Sequence, residues 1–302
     1  MQQTPIRLRG LTKRFGSLTA VDNVDLDVPA GAIMGFLGPN GAGKTTTMRL
    51  LIGALRPTSG TAQVLGADLA ADVTSRRRVG YLPGDLRVDP KLTGMQLFAW
   101  YGKLRGGLDT RRVVDLIERL DLDPDRPFGT LSKGNRQKVG IIQALQHDPD
   151  VLILDEPTTG LDPLAQREFL TLLREAAARG TAVLFSSHVL PEVERIADTV
   201  AIIRAGQIVT RSTIDELLDR ARRRLELRFA EPIAAGVFDG VPGVVDVQID
   251  DHTATLTVEG AVGPALHAAT SHALLVRINP AGDDLEDLFV SLYGTPTPTQ
   301  ER

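Results

Sequence analysis

Two rhythms of apolar residues run along the chain. Compact, mainly apolar runs at residues 32–38, 151–154 and 181–186 have the length of strands buried on both faces. Helical spacing marks residues 44–55, where Met48, Leu51, Ile52 and Leu55 share a side and Pro57 is the stop. It recurs at 111–120, at 137–145 and at 164–178, the last with Leu164, Leu172, Leu173 and Ala176 behind Asp162 as cap and Pro163 in the first turn. Strand and helix alternate, which predicts an α/β domain of three layers around a mostly parallel sheet. The stretch 87–150 is mostly helical and reads as an insertion between sheet strands.

The rhythm changes after Arg220. Residues 225–229, 244–249, 254–258 and 273–278 read as strands, and 233–238 and 262–270 as helices. That order predicts a small α+β domain of the split βαβ kind. A last helix is expected at 285–292, with Leu285, Leu288, Phe289 and Leu292 on one face, to cover the small sheet or to meet a partner. The predicted organisation is therefore one domain at 1–220 and a second at 221–302.

Chemistry concentrates where the apolar runs end, as it should at the carboxyl edge of a parallel sheet. The first run leads into Gly38-Pro39-Asn40-Gly41-Ala42-Gly43-Lys44-Thr45, with Thr46 next, which satisfies the Walker A pattern. A loop that wraps phosphates turns its own N–H groups inward, and glycines leave room for that approach. The following helix N-terminus adds positive potential, Lys44 a point charge and Thr45 a hydroxyl for Mg²⁺. The second run ends in Asp155 and Glu156, placing Asp155 to hold magnesium and Glu156 to orient and polarise an attacking water. A structural carboxylate pair would give the same letters, but two adjacent buried charges without a cation are costly. The cofactors expected are thus ATP and Mg²⁺.

Composition narrows the picture. Among 302 residues, 34 are basic and 38 acidic, a net charge of −4 with no long block of one sign, so a nucleic-acid partner is not expected. The short clusters Arg76-Arg77-Arg78 and Arg222-Arg223-Arg224 read as solvated surface. The absence of cysteine excludes disulfides and thiolate metal ligands. No apolar run approaches the roughly 18 residues of a membrane span, and the N-terminus has no secretory pattern. Any service to a membrane is therefore expected from its cytoplasmic face, through a separate subunit.

With these motifs in hand, the stretch 6–220 resembles the ATP-binding subunits of ABC transporters. Leu131-Ser132-Lys133-Gly134-Asn135-Arg136-Gln137 is similar to the family signature, and Thr159-Gly160-Leu161-Asp162 to its D-loop. His188 resembles the switch histidine, and Phe15 the aromatic residue that stacks on adenine. The resemblance implies a head-to-tail dimer, of one chain or two, in which Ser132, Gly134 and Asn135 cap the ATP held by the opposite subunit and Asp162 lies at the interface. It further implies a transmembrane permease as a separate polypeptide. From the residues alone, Ser132 and Asp162 also read as helix caps and Phe15 as a core aromatic. Two departures stand out: Gly84-Asp85 replaces the family's usual glutamine, leaving Asp85 to share the metal site, and Lys133 and Asn135 replace a glycine and a glutamine. The extension after the ATPase domain resembles exporter subunits of the ABC-2 type, including those for drug or antibiotic efflux. The alternative is a soluble ABC-type ATPase acting as a mechanical clamp on ribosomes or DNA.

Overall fold

The computed structural model describes residues 4–220 and 222–280. The expected helix at 285–292 lies outside them. The chain divides into two compact units, one up to Arg211 and one from Ser212 onward.

The first unit opens with β1 (Ile6–Phe15) and β2 (Leu18–Val28), which pair antiparallel. After β3 (Ile33–Leu37) and α1 (Lys44–Leu51), β4 (Ser59–Val64) returns to the free side of β1, giving an antiparallel sheet in the order β2-β1-β4. Next come the short α2 (Val73–Arg76) and β5 (Val79–Leu82). The helical stretch follows with α3 (Gly94–Arg105), α4 (Thr110–Arg119), a 3₁₀ turn (Phe128–Thr130) and α5 (Lys133–Leu145). Then come β6 (Val151–Leu154), α6 (Pro163–Ala178), β7 (Ala182–Ser187), α7 (Leu190–Glu194), β8 (Thr199–Arg204) and β9 (Gln207–Thr213).

Six of these strands form the central sheet, in the order β5-β6-β7-β3-β8-β9. The pairs β5/β6, β6/β7, β7/β3 and β3/β8 are parallel, so the carboxyl ends of β3, β5, β6 and β7 share one edge. Each of β3, β6 and β7 is buried along its whole length, as strands covered on both faces are. One core cluster takes Ile6, Leu8 and Leu26 from the antiparallel sheet, Met34, Phe36 and Ile153 from the central sheet, and Met48 and Leu51 from α1. α1 ends at Leu51 rather than running to 55, because Gly53 takes a left-handed φ of 71° and the amides of Ala54 and Leu55 fold back on the Arg49 carbonyl.

α5 is buried continuously from Gln137 to Leu145, unlike a surface helix with one wet face. It lies directly on β5: a Cβ at Gly80 would run into the carbonyl oxygen of Ala144.

In the second unit, α8 (Ile214–Arg220) precedes β10 (Arg222–Phe229), β11 (Val244–Asp250), β12 (Thr253–Glu259), α9 (Gly263–His272) and β13 (Leu275–Pro280). The sheet order is β11-β12-β10-β13 with every neighbour antiparallel, the strand arrangement of a split βαβ unit. Its core holds Leu227, Phe229, Ala254, Leu256 and Val258 against Ala265 and Ala269 of α9. The helix expected at 233–238 is absent; turns run from 235 to 240 instead, with Gly236 and Gly240 at φ 96° and 70°. Ile233 and Phe238 still reach the core, so the apolar positions were sound and the periodicity was not.

Candidate functional site

The loop after β3 is shaped by two glycines that no other residue could replace without displacing backbone. A Cβ at Gly38 would stand 2.6 Å from the carbonyl oxygen of Ile203, and one at Gly43 2.5 Å from that of Ala20. Gly43 has φ 111° and opens α1 without a side-chain cap, so the first amides of the helix are free for an anion. Between them Pro39, Asn40 and Gly41 are exposed and Ala42 is buried. Thr45 and Thr46 are half-buried on the first turn. Lys44 is 6% exposed, folded back so that its ammonium donates to the carbonyls of Gly38 and Pro39.

A chain of polar contacts then crosses the sheet edge. Lys44 Nζ stands 3.3 Å from Glu156 Oε1, and His188 Nδ1 2.7 Å from Glu156 Oε2. Asp155, 1% exposed, accepts from Ser186 Oγ through Oδ1 at 2.7 Å. The Ser186 oxygen in turn accepts from the Glu156 amide at 2.9 Å. Oδ2 of Asp155 faces Gly84, whose Cβ, were there one, would lie 3.4 Å away. Burial, reinforced by the Asp155 charge, pushes the Tyr81 phenol above its ordinary value, while Arg49 opposes the shift. Glu192 ties the neighbourhood together, accepting from Thr158 Oγ1 at 2.7 Å and Ser187 Oγ at 3.0 Å.

The other expected residues fall elsewhere. Phe15 ends β1 with its ring 47% exposed and Lys13 Nζ 5.0 Å from its centroid, so it is not a core aromatic. Ser132 caps α5 by accepting from the Asn135 amide at 3.2 Å. Gly134 sits against the next loop, where a Cβ would be 2.5 Å from the Gly160 carbonyl oxygen. Asp162 caps α6, accepting from Leu164 and Ala165, and these amides, Ala165 first, hold its carboxyl below the usual range. Among the described residues none of Ser132, Gly134, Asn135 and Asp162 bonds to the phosphate loop. Asp85 departs from the expected metal role: its carboxylate is 70% exposed and paired with Arg87 at 2.7 Å. Gly84, not Asp85, is the residue that faces Asp155.

Sequence reasoning missed Ser186, Glu192 and Gln137. Gln137 donates to the carbonyls of Glu156 at 3.2 Å and Pro157 at 2.8 Å. Only its place in the signature-like stretch marked it.

A parallel sheet whose edge carries a glycine-walled anion cradle, a buried carboxylate and a lysine defines a P-loop nucleotide-binding domain. A family model described as ABC transporter matches residues 21–159. The chain is 34% identical over 296 residues to the bacitracin transport ATP-binding protein BcrA of Enterococcus faecalis, covering 96% of each. It is 35% identical to the daunorubicin/doxorubicin resistance ATP-binding protein DrrA of Streptomyces peucetius, covering 96% of this chain and 93% of that one. A solved ATP-binding subunit of an ABC transporter superposes with a TM-score of 0.67 at 30% identity, over 71% of this chain and 92% of the other. A dimeric bacterial ABC transporter cassette shares the fold, with a TM-score of 0.64 at 22% identity over 69% and 98% of the two chains. The chain belongs to the ABC transporter family, as one of its ATP-binding ATPase subunits.

Proposed function

We propose that this chain is the Mg²⁺-dependent ATPase subunit of an exporter, that two copies or a copy and a related subunit close on two ATP molecules, and that a separate transmembrane permease carries the cargo. The observation that carries this reading is the contact chain Lys44–Glu156–His188 beside buried Asp155. On this reading the first unit is the ATPase domain and the second an accessory domain. Among the described residues no helix is long and apolar enough to cross a membrane, which suits a subunit attached to the cytoplasmic face. BcrA and DrrA are named for bacitracin transport and for daunorubicin and doxorubicin resistance, which makes drug or antibiotic efflux the cargo class we favour.

The residues present fit a divalent cation. Asp155 is buried, with Oδ1 engaged by Ser186 and Oδ2 turned toward Gly84, which has no side chain; with the Thr45 hydroxyl it supplies the hard oxygen donors that Mg²⁺ prefers. When bound, the ion neutralises phosphate charge. Lys44 and the amides from Gly41 to Thr46 hold the β- and γ-phosphates, stabilising charge with dipoles that are already in place. Glu156 accepts a hydrogen bond from the attacking water and orients it in line. His188, whose Nδ1 already meets the Glu156 carboxylate, presents its other ring nitrogen to the γ-phosphate. Phe15 offers an open ring face to the base.

The test is made with purified full-length chain and Mg-ATP. Glu156→Gln retains ATP, loses turnover by at least 100-fold, and doubles in mass by light scattering. Lys44→Ala binds at least tenfold more weakly. Full turnover in Glu156→Gln, or unchanged binding in Lys44→Ala, overturns the assignment.

A further inference from the structure

Glu156 is the one residue at the sheet edge with both a proposed chemical role and a costly backbone. Its φ is 50°, in the left-handed region that side chains other than glycine's avoid. Pro157 follows it, and a residue before proline is steered toward extended conformations. Left alone, this peptide would swing out, and its carboxylate would leave Lys44 and His188.

The surrounding structure grips the residue at both ends. Its N–H donates to Ser186 Oγ at 2.9 Å. Its carbonyl oxygen accepts from the Gln137 side chain at 3.2 Å and, within the turn, from the Thr159 amide at 3.3 Å. The same Gln137 nitrogen donates to the Pro157 carbonyl at 2.8 Å. A primary amide has two hydrogens, so one NH₂ group clamps two successive carbonyls across the strained bond. Gln137 is 9% exposed, and its bond to the Pro157 carbonyl is buried away from water.

Gln137 also belongs to α5, the helix that Ser132 caps. We infer that Gln137 is a positioning residue that locks the left-handed Glu156–Pro157 peptide, and so the aim of the Glu156 carboxylate, to the helix that begins at Ser132. This inference rests on the proposed roles of Glu156 and of the signature-like stretch. In a head-to-tail dimer, the Ser132 end of α5 meets one nucleotide and Glu156 serves the other. Gln137 therefore joins the two sites within a single protomer: capture of ATP at the first reaches the water-orienting residue of the second through about one and a half turns of helix.

Three variants of the full-length chain test the idea. Gln137→Met keeps the length and burial of the side chain and removes the donors. It lowers kcat by tenfold or more, leaves Kd for a fluorescent ATP analogue and Tm within a twofold and a two-degree margin of the wild type, and brings the Hill coefficient for ATP toward one. Gln137→Asn keeps the amide on a stem one carbon shorter and restores part of kcat. A Gln137→Met protein with unchanged kcat overturns the proposal, and so does one whose kcat, nucleotide affinity and Tm all fall together, since that is mere structural damage. Glu156→Gln is the separate control: if it turns over ATP normally, the role of Glu156 fails, whatever Gln137→Met does.

Discussion

At the scale of single residues, the most informative position holds almost nothing. Gly84 faces Asp155 Oδ2, and a Cβ there would make ordinary van der Waals contact at 3.4 Å. A Cβ can therefore be added there without moving backbone. Gly84→Gln, which places an amide where ABC ATP-binding subunits usually carry one, is expected to fold with an unchanged Tm and to raise kcat for Mg-ATP by about two- to tenfold. Steady-state ATPase assays with thermal melts check both halves. Asp85, turned away to Arg87, offers the contrast: Asp85→Asn leaves kcat as it is. The phosphate cradle was legible in the sequence because its parts are contiguous, with the glycines, Lys44 and Thr45 lying within eight positions. Ser186 and Gln137 were not, because they act on Glu156 across 30 and 19 positions and no local pattern distinguishes them from other polar residues in helices and strands.

At the scale of elements, legibility followed the regularity of the backbone. Three strands of the central sheet, β3, β6 and β7, were readable as apolar runs. The antiparallel sheet was not, because register shifts between β1 and β2 interrupt the alternation that a half-buried strand should display. The stretch 233–238 misled for the opposite reason, as Ile233 and Val237 are spaced like a helical face while the left-handed Gly236 turns the chain between them. Between α5 and β6 stands His147, whose imidazole burial, with the Arg105 charge, pushes down to about 3. The folded protein keeps this ring neutral while the unfolded chain protonates it near 6.5, so stability falls as the pH drops from about 6.5 toward 3. Urea midpoints at pH 7.5 and 4.5 should show a loss that is smaller in His147→Gln, whose side chain does not titrate. An equal loss in both proteins would remove His147 from the account of acid sensitivity.

At the scale of the whole molecule, each of the two units has a core of its own, one built from two sheets and α1, the other from β10, β12 and α9. Calorimetry should resolve two unfolding transitions. Only the unit with the phosphate loop binds nucleotide, so Mg-ATP at a hundred times its Kd adds about 2.7 kcal/mol to that unit alone. For a unit of this size that raises one transition by roughly 5–10 °C and leaves the other in place. A single transition that shifts as a whole would show that the two cores unfold together. One contact inside the first unit bears on how such a machine moves. Where β5 passes beneath α5 nothing but hydrogen stands at Gly80, and the strand rests on the bare backbone of the helix. At that point no side chain separates the two backbones, so there is little slack to take up and a shift of the strand presses directly on the helix.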